Sequence, residues 1–197
     1  MLIKHYFKRK SQMKKILAML ALALSGSVFA ATATVEYSSG SAVNKTPSQN
    51  GMTLIVRENI NKNFTIDAVV GNLYSDSTGG LAWSRAETGV TGITPVYGPI
   101  SAYTRVAVGQ KFTSVTNYGY YSIEPGIMAP LGGGLSARVG YRFRDAIDNG
   151  TFNDQTRTVR AGLNYNITKS DTIGVRYDQQ RGVADQNIWS VNYTRGF

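Results

Sequence analysis

Cysteine is absent from the 197 residues and the one histidine is His5. Without thiols there are no disulfides, thiolate nucleophiles or thiolate metal sites. A chain with no histidine past its leader has no imidazole for acid–base catalysis or zinc ligation. Most hydrolase mechanisms are excluded with them, so the sequence predicts a protein that is not an enzyme and holds no cofactor or metal. Long apolar runs are also missing: the longest, Ile16 to Leu24, falls well short of the ~20 residues a spanning helix needs. After residue 30 no window shows the i, i+3, i+4 rhythm of an amphipathic helix.

Acidic residues are scarce, 12 against 21 basic ones, giving a formal charge of +9. Lys4, Lys8, Arg9, Lys10, Lys14 and Lys15 supply six of those positive charges before residue 30, leaving 15 against 12 in the remainder. The basic character therefore belongs largely to the leader, and no nucleic-acid partner is expected. Lys14-Lys15, the apolar run and Ser25-Gly26-Ser27-Val28-Phe29-Ala30 form a secretory signal pattern with Val28 and Ala30 before the cut; Met13 is an alternative start. The expected organisation is a signal peptide at 1–30 and one domain at 31–197.

What the domain has is period-two alternation. Leu135, Ala137, Val139, Tyr141 and Phe143 share one face, with Ser136, Arg138, Gly140, Arg142 and Arg144 on the other. Val159, Ala161, Leu163 and Tyr165 oppose Thr158, Arg160, Gly162 and Asn164 in the same way, and Ile173, Val175 and Tyr177 oppose Gly174, Arg176 and Asp178. Turn signals delimit ten segments: 31–38, 51–59, 64–74, 81–90, 100–112, 118–129, 135–145, 156–166, 171–180 and 187–197. Most exceed the ~5–6 residues of soluble strands and match the ~9–11 of a tilted transmembrane strand. Short turns at Ile60–Asn63, Pro130–Gly134 and Thr168–Ser170 alternate with longer polar stretches at Ser39–Asn50, Ser75–Gly80 and Ala146–Gln155. Thr91–Pro99, with two prolines, reads as a long turn that breaks the rule. The expected fold is an all-β, transmembrane, antiparallel up-and-down β-barrel of about ten strands, eight and twelve being the alternatives.

The last segment alternates Trp189, Val191, Tyr193, Arg195, Phe197 with Ser190, Asn192, Thr194, Gly196. Such a strand, closing on Phe197 behind a signal peptide, resembles the bacterial outer-membrane β-barrel proteins. The resemblance implies a Gram-negative outer-membrane location, with Phe197 and Tyr193 as the signal read by the barrel assembly machinery. Outer-membrane lipids and lipopolysaccharide would then be neighbours. Arg195 departs from the residue usual at its position. Tyr37, Phe64, Trp83, Tyr165 and Trp189 are candidates for interfacial girdles.

Alternation sends Arg57, Arg85, Arg105, Lys111, Arg138, Arg142, Arg144, Arg160 and Arg176 to the interior, against Glu36, Asp67, Glu87, Glu124 and Asp178. A turn centred on Thr168 sets Arg160 opposite Arg176, and one centred on Lys62 sets Arg57 opposite Asp67. Arg138, Arg142, Arg144, Arg160 and Arg176 then have only Glu124 and Asp178 as counter-charges. Uncompensated guanidinium groups attract carboxylates and phosphates. The functional expectation is a narrow porin-like channel for small anionic solutes; the alternative is a non-conducting barrel with a structural or surface-interaction role. Ile123-Glu124-Pro125-Gly126, Arg138 to Arg144 and Gly174-Val175-Arg176-Tyr177-Asp178 also resemble the oligogalacturonate-specific porin family, whose members generally have twelve strands. That resemblance implies lumen contacts at Arg138, Arg142, Arg144 and Arg176.

Overall fold

The computed structural model describes residues 31–43, 48–75, 80–183 and 185–197; the leader and parts of three polar connections lie outside them. The strands are β1 (Ala31–Ala42), β2 (Ser48–Asn61), β3 (Phe64–Ser75), β4 (Gly80–Tyr97), β5 (Ile100–Thr113), β6 (Asn117–Gly132), β7 (Leu135–Ala146), β8 (Thr156–Asn166), β9 (Asp171–Gly182) and β10 (Gln186–Gly196). Each pairs antiparallel with its sequence neighbour, and β1 pairs with β10, so the sheet closes into a ten-stranded up-and-down barrel with no free edge.

The alternation decides the two faces. Val35, Met52, Ile66, Val106, Val139, Val159, Val175 and Val191 are exposed on the outer wall, while Thr34, Glu36, Asp67, Glu124, Arg142 and Asp178 are buried inside. An inside-out arrangement of this kind is the one lipid permits, because a closed sheet satisfies every backbone group and the apolar face meets acyl chains. Tyr37, Phe64, Tyr165 and Trp189 are exposed on the outer wall as expected. Trp83 is not a girdle residue. It lies two positions before Arg85 and so shares its inward face, where the cations of Arg85 and Lys111 stand 5.9 and 5.4 Å from its ring.

The strands reach further than the turn signals suggested. β1 and β2 pair out to Ser41↔Ser48, so much of the expected polar loop at 39–50 is ladder, and β3 and β4 pair out to the two ends of the expected loop at 75–80, Ser75↔Gly80. Thr91–Pro99 is no long turn either. β4 continues to Tyr97, which pairs with Ile100 across Gly98-Pro99, with Gly98 at φ 52°. Pro95 is tolerated there because it sits at a bulge beyond Gly92, the last residue of β4 paired with β3. The β8–β9 connection also differs: Arg160 faces Asp178, and Arg176 faces Gly162. The turn is centred on Lys169, one residue past the expected centre, which exchanges a repulsive pair for an attractive one. Arg57 does face Asp67.

Both ends of the barrel strands, β1 at its start and β10 at its close, lie at the end that carries the two-residue turns 62–63, 98–99 and 133–134. The nine-residue connection Ile147–Gln155 lies at the other end.

Candidate functional site

The lumen is filled chiefly by charge. Nine cations line it (Arg57, Arg85, Arg105, Lys111, Arg138, Arg142, Arg144, Arg160, Arg176), against six carboxylates (Glu36, Asp67, Glu87, Glu124, Asp154, Asp178). The excess is +3. Asp154 is the carboxylate that alternation did not supply, because it comes from a loop and not from a strand. The Ile147–Gln155 connection turns into the barrel, where Asp154 is 1% exposed, accepts from Lys111 Nζ at 3.0 Å, and lies 2.8 Å from Arg144 Nε. Phe152 of the same loop stacks on Tyr118, ring centroids 5.2 Å apart.

Most of the cations are neutralised. Arg105 is held by Asp67 through two hydrogen bonds of 2.8 and 2.5 Å, and by Glu87 at 2.6 Å. Arg176 donates both terminal nitrogens to Glu36, at 2.6 and 2.9 Å, and its Nε to Asp178 at 3.0 Å. Arg160 donates to Glu124 at 2.6 Å and approaches Asp178 at 3.4 Å. Arg138 reaches the other oxygen of Glu124 at 3.1 Å, with its guanidinium 3.7 Å from the centre of the Tyr103 ring. Glu124 and Asp178, the counter-charges expected for Arg138, Arg142, Arg144, Arg160 and Arg176, do pair with Arg138, Arg160 and Arg176, but they are not the only ones. Glu36 and Asp154, from β1 and a loop, complete the partners that neighbouring strands could not.

Arg142 is the exception among those five. Its inward position on β7 faces β6 where pairing lapses between Ile123↔Phe143 and Gly126↔Gly140. Pro125 falls in that gap and has no N–H to give. Glu124, on the inner face beside it, is already committed to Arg138, Arg160 and the Tyr103 hydroxyl. Arg142 is 5% exposed, carries no ion pair among the described residues, and its buried Nε has no hydrogen-bond partner. Arg85 and Arg57 likewise have no ion pair there, and Arg85 Nε is also unsatisfied.

Among the described residues two cavities lie in the lumen, about 340 Å³ toward the short-turn end and about 180 Å³ toward the long loop. Glu36, Arg85, Arg142, Arg160 and Arg176 line both, so a ring of four arginines and one glutamate forms a waist between them. Inward tyrosines narrow the space further. Tyr120 donates to Glu87 at 2.8 Å, and Tyr103, which donates to Glu124, lies across Gly126 and Gly140, where a Cβ would collide with its ring or hydroxyl. These tyrosines were not among the residues singled out from the sequence. The signal was present, since Tyr103 precedes Arg105 by two and Tyr120 precedes Glu124 by four, on the same inner faces.

Tyr193 is exposed on the outer wall and donates to Asp171 at 2.5 Å, which also accepts from Arg195 at 3.1 Å. Arg195, the departure from the usual pattern, is thus paired at the short-turn end. Phe197 is exposed.

No protein-family model matches the chain, and no curated protein matches it by sequence. Solved structures match it by shape. A KdgM porin is 12% identical with a TM-score of 0.50, covering 83% of this chain and 99% of that one. The beta domain of the Bordetella autotransporter BrkA is 12% identical with a TM-score of 0.51, covering 85% and 99%. A NanC porin is 8% identical with a TM-score of 0.49, covering 82% and 98%. The likeness is one of fold, and it bears out the barrel: this chain has the closed antiparallel architecture of outer-membrane porins and autotransporter domains.

Proposed function

We propose that the protein is a porin-like channel of a Gram-negative outer membrane, exported behind its leader, through which small anionic solutes pass. The observation that carries this reading is Arg142, buried at the waist between two cavities with no carboxylate at ion-pair distance among the described residues. Arg85 stands on the same ring, also without an ion pair. A guanidinium in a narrow, partly desolvated passage lowers the barrier to a carboxylate or phosphate and raises it to a cation. The lumen excess of +3 acts in the same direction. The other two waist arginines, Arg160 and Arg176, serve a different end in this reading: their ion pairs hold the waist in shape, and the solute meets Arg85 and Arg142 there. The long-loop end faces outward and the short turns face the periplasm, as in other bacterial barrels.

Planar-bilayer recording tests the proposal. Purified protein is expected to form channels of low conductance whose reversal potential in a salt gradient shows anion preference. The R85S/R142S variant is expected to lose most of that preference while still forming channels. Absence of channels, or a preference for cations in the unsubstituted protein, overturns the reading.

A further inference from the structure

Few charged strand residues point outward, and the pattern of those that do is uneven. At the short-turn end Arg195 is neutralised by Asp171. At the long-loop end Arg157 of β8 and Arg181 of β9 stand directly opposite each other on the outer wall. Neither has an ion pair among the described residues; Arg181 donates one nitrogen to the Gln180 carbonyl at 2.8 Å. The outward carboxylate beside them, Asp145 on β7, is buried and accepts from the Ala146 N–H. Asp185, in the next connection, accepts from the Gly182 N–H. Like charges directly opposite in an antiparallel pair repel, so this arrangement costs stability unless an anion lies between them.

The wall beneath the pair has a shape of its own. Val159, Ala161 and Leu163 run down β8 from Arg157 as a shallow apolar strip. On one side Phe143 pairs with Arg157 and Tyr141 with Val159; on the other Tyr177 pairs with Ala161. Trp189 stands against Tyr177, ring centroids 4.8 Å apart. Arg157 lies eight residues along β8 from Tyr165, about 21 Å along the barrel axis at ~3.4 Å per residue and a tilt of about 40°, which puts it near the upper edge of a ~25 Å apolar band. A cationic pair at headgroup height above an aromatic-walled apolar strip suits a ligand with a phosphate on top and acyl chains below.

We propose that Arg157 and Arg181 together clamp a phosphate of the acylated, phosphorylated glycolipid of the outer leaflet, with its chains lying along Val159, Ala161 and Leu163. The clamp rests on the outer-membrane reading and on the orientation given above, but not on conduction, because neither arginine touches the lumen. Two forks presented side by side suit a phosphate's several oxygens, and their mutual repulsion is relieved when it binds.

Binding is read by native mass spectrometry of the detergent-purified barrel, in buffer free of divalent cations, with lipid A carrying its phosphates and with the same lipid A dephosphorylated. The unsubstituted protein is expected to favour the phosphorylated form by about a hundredfold, each guanidinium supplying about tenfold. The R157S/R181S variant is expected to bind both forms alike, with channel conductance and selectivity unchanged. Equal binding of the two lipids by the unsubstituted protein overturns the clamp without needing any variant, and so does a preference that survives the double substitution. Lipid preference without channels would leave the clamp standing and remove the pore.

Discussion

Arg105 and Arg142 carry the same guanidinium inside the same barrel, yet their surroundings predict opposite consequences of removing them. Arg105 is fixed between Asp67 and Glu87, whose side chains are 1% and 3% exposed. R105S strips both carboxylates of their partner, and breaking a buried pair in that way costs about 3 kcal/mol. Arg142 has no carboxylate to abandon, and R142S deletes a buried charge with an unsatisfied Nε. It is expected to leave stability unchanged or to raise it. Urea unfolding of the two variants in lipid vesicles checks the contrast, and a larger loss in R142S than in R105S would mean that Arg142 is a structural ion-pair member. At this scale the facing of side chains was legible in the sequence. All nine cations expected in the lumen are there, and Trp83, grouped with the girdle by its chemistry, follows the parity of Arg85. Pairing was legible only in part: Glu124 and Asp178 were the expected partners of these arginines, whereas Glu36 reaches Arg176 only through closure of β1 on β10.

Strand ends and loops were the least readable elements. Turn residues mark where a chain is able to bend, but a ladder continues past them when the neighbouring strand still offers partners. Thus β4 runs through Pro95 to Tyr97, and Gly98-Pro99 makes a tight turn where a nine-residue one was expected. The one-residue displacement at the β8–β9 turn has a similar origin. Thr168 holds that turn from within, its backbone N–H bonding the Asp171 carbonyl and its hydroxyl the Asp171 carboxylate, so the pairing centre falls on Lys169. The Ile147–Gln155 loop carries a consequence for the pore, since Asp154 is its tether inside the lumen. D154A removes the carboxylate shared by Lys111 and Arg144, and with the tether gone the loop is expected to lift from the outer cavity. Limited proteolysis of the folded protein should cut more rapidly between Asp148 and Asn153, and single-channel conductance should rise. Cleavage as slow as in the unsubstituted protein would show that the Tyr118–Phe152 stack holds the loop without Asp154.

For the whole molecule, what matters is that ten strands close on themselves around an interior that side chains nearly fill. Closure, strand number and the inside-out alternation followed from segment length and period, since a residue slip would turn every charged face toward lipid. The balance of charge inside did not follow so simply, because the loop carboxylate reduced the expected excess from +4 to +3. That excess separates two kinds of electrostatics in one protein. The ion pairs are short and shielded by the wall, so salt barely reaches them. On the anion-channel reading, the uncompensated field at the waist acts on ions arriving through water, where the screening length falls from about 10 Å at 0.1 M to about 3 Å at 1 M. Anion preference is therefore expected to decline toward unity over that range while the melting temperature of the folded barrel stays nearly constant. Reversal potentials and thermal unfolding measured across the same salt series test the two together. If stability fell in step with selectivity, the lumen pairs would be as open to solvent as the waist, and the division between structural and solute-facing arginines would fail.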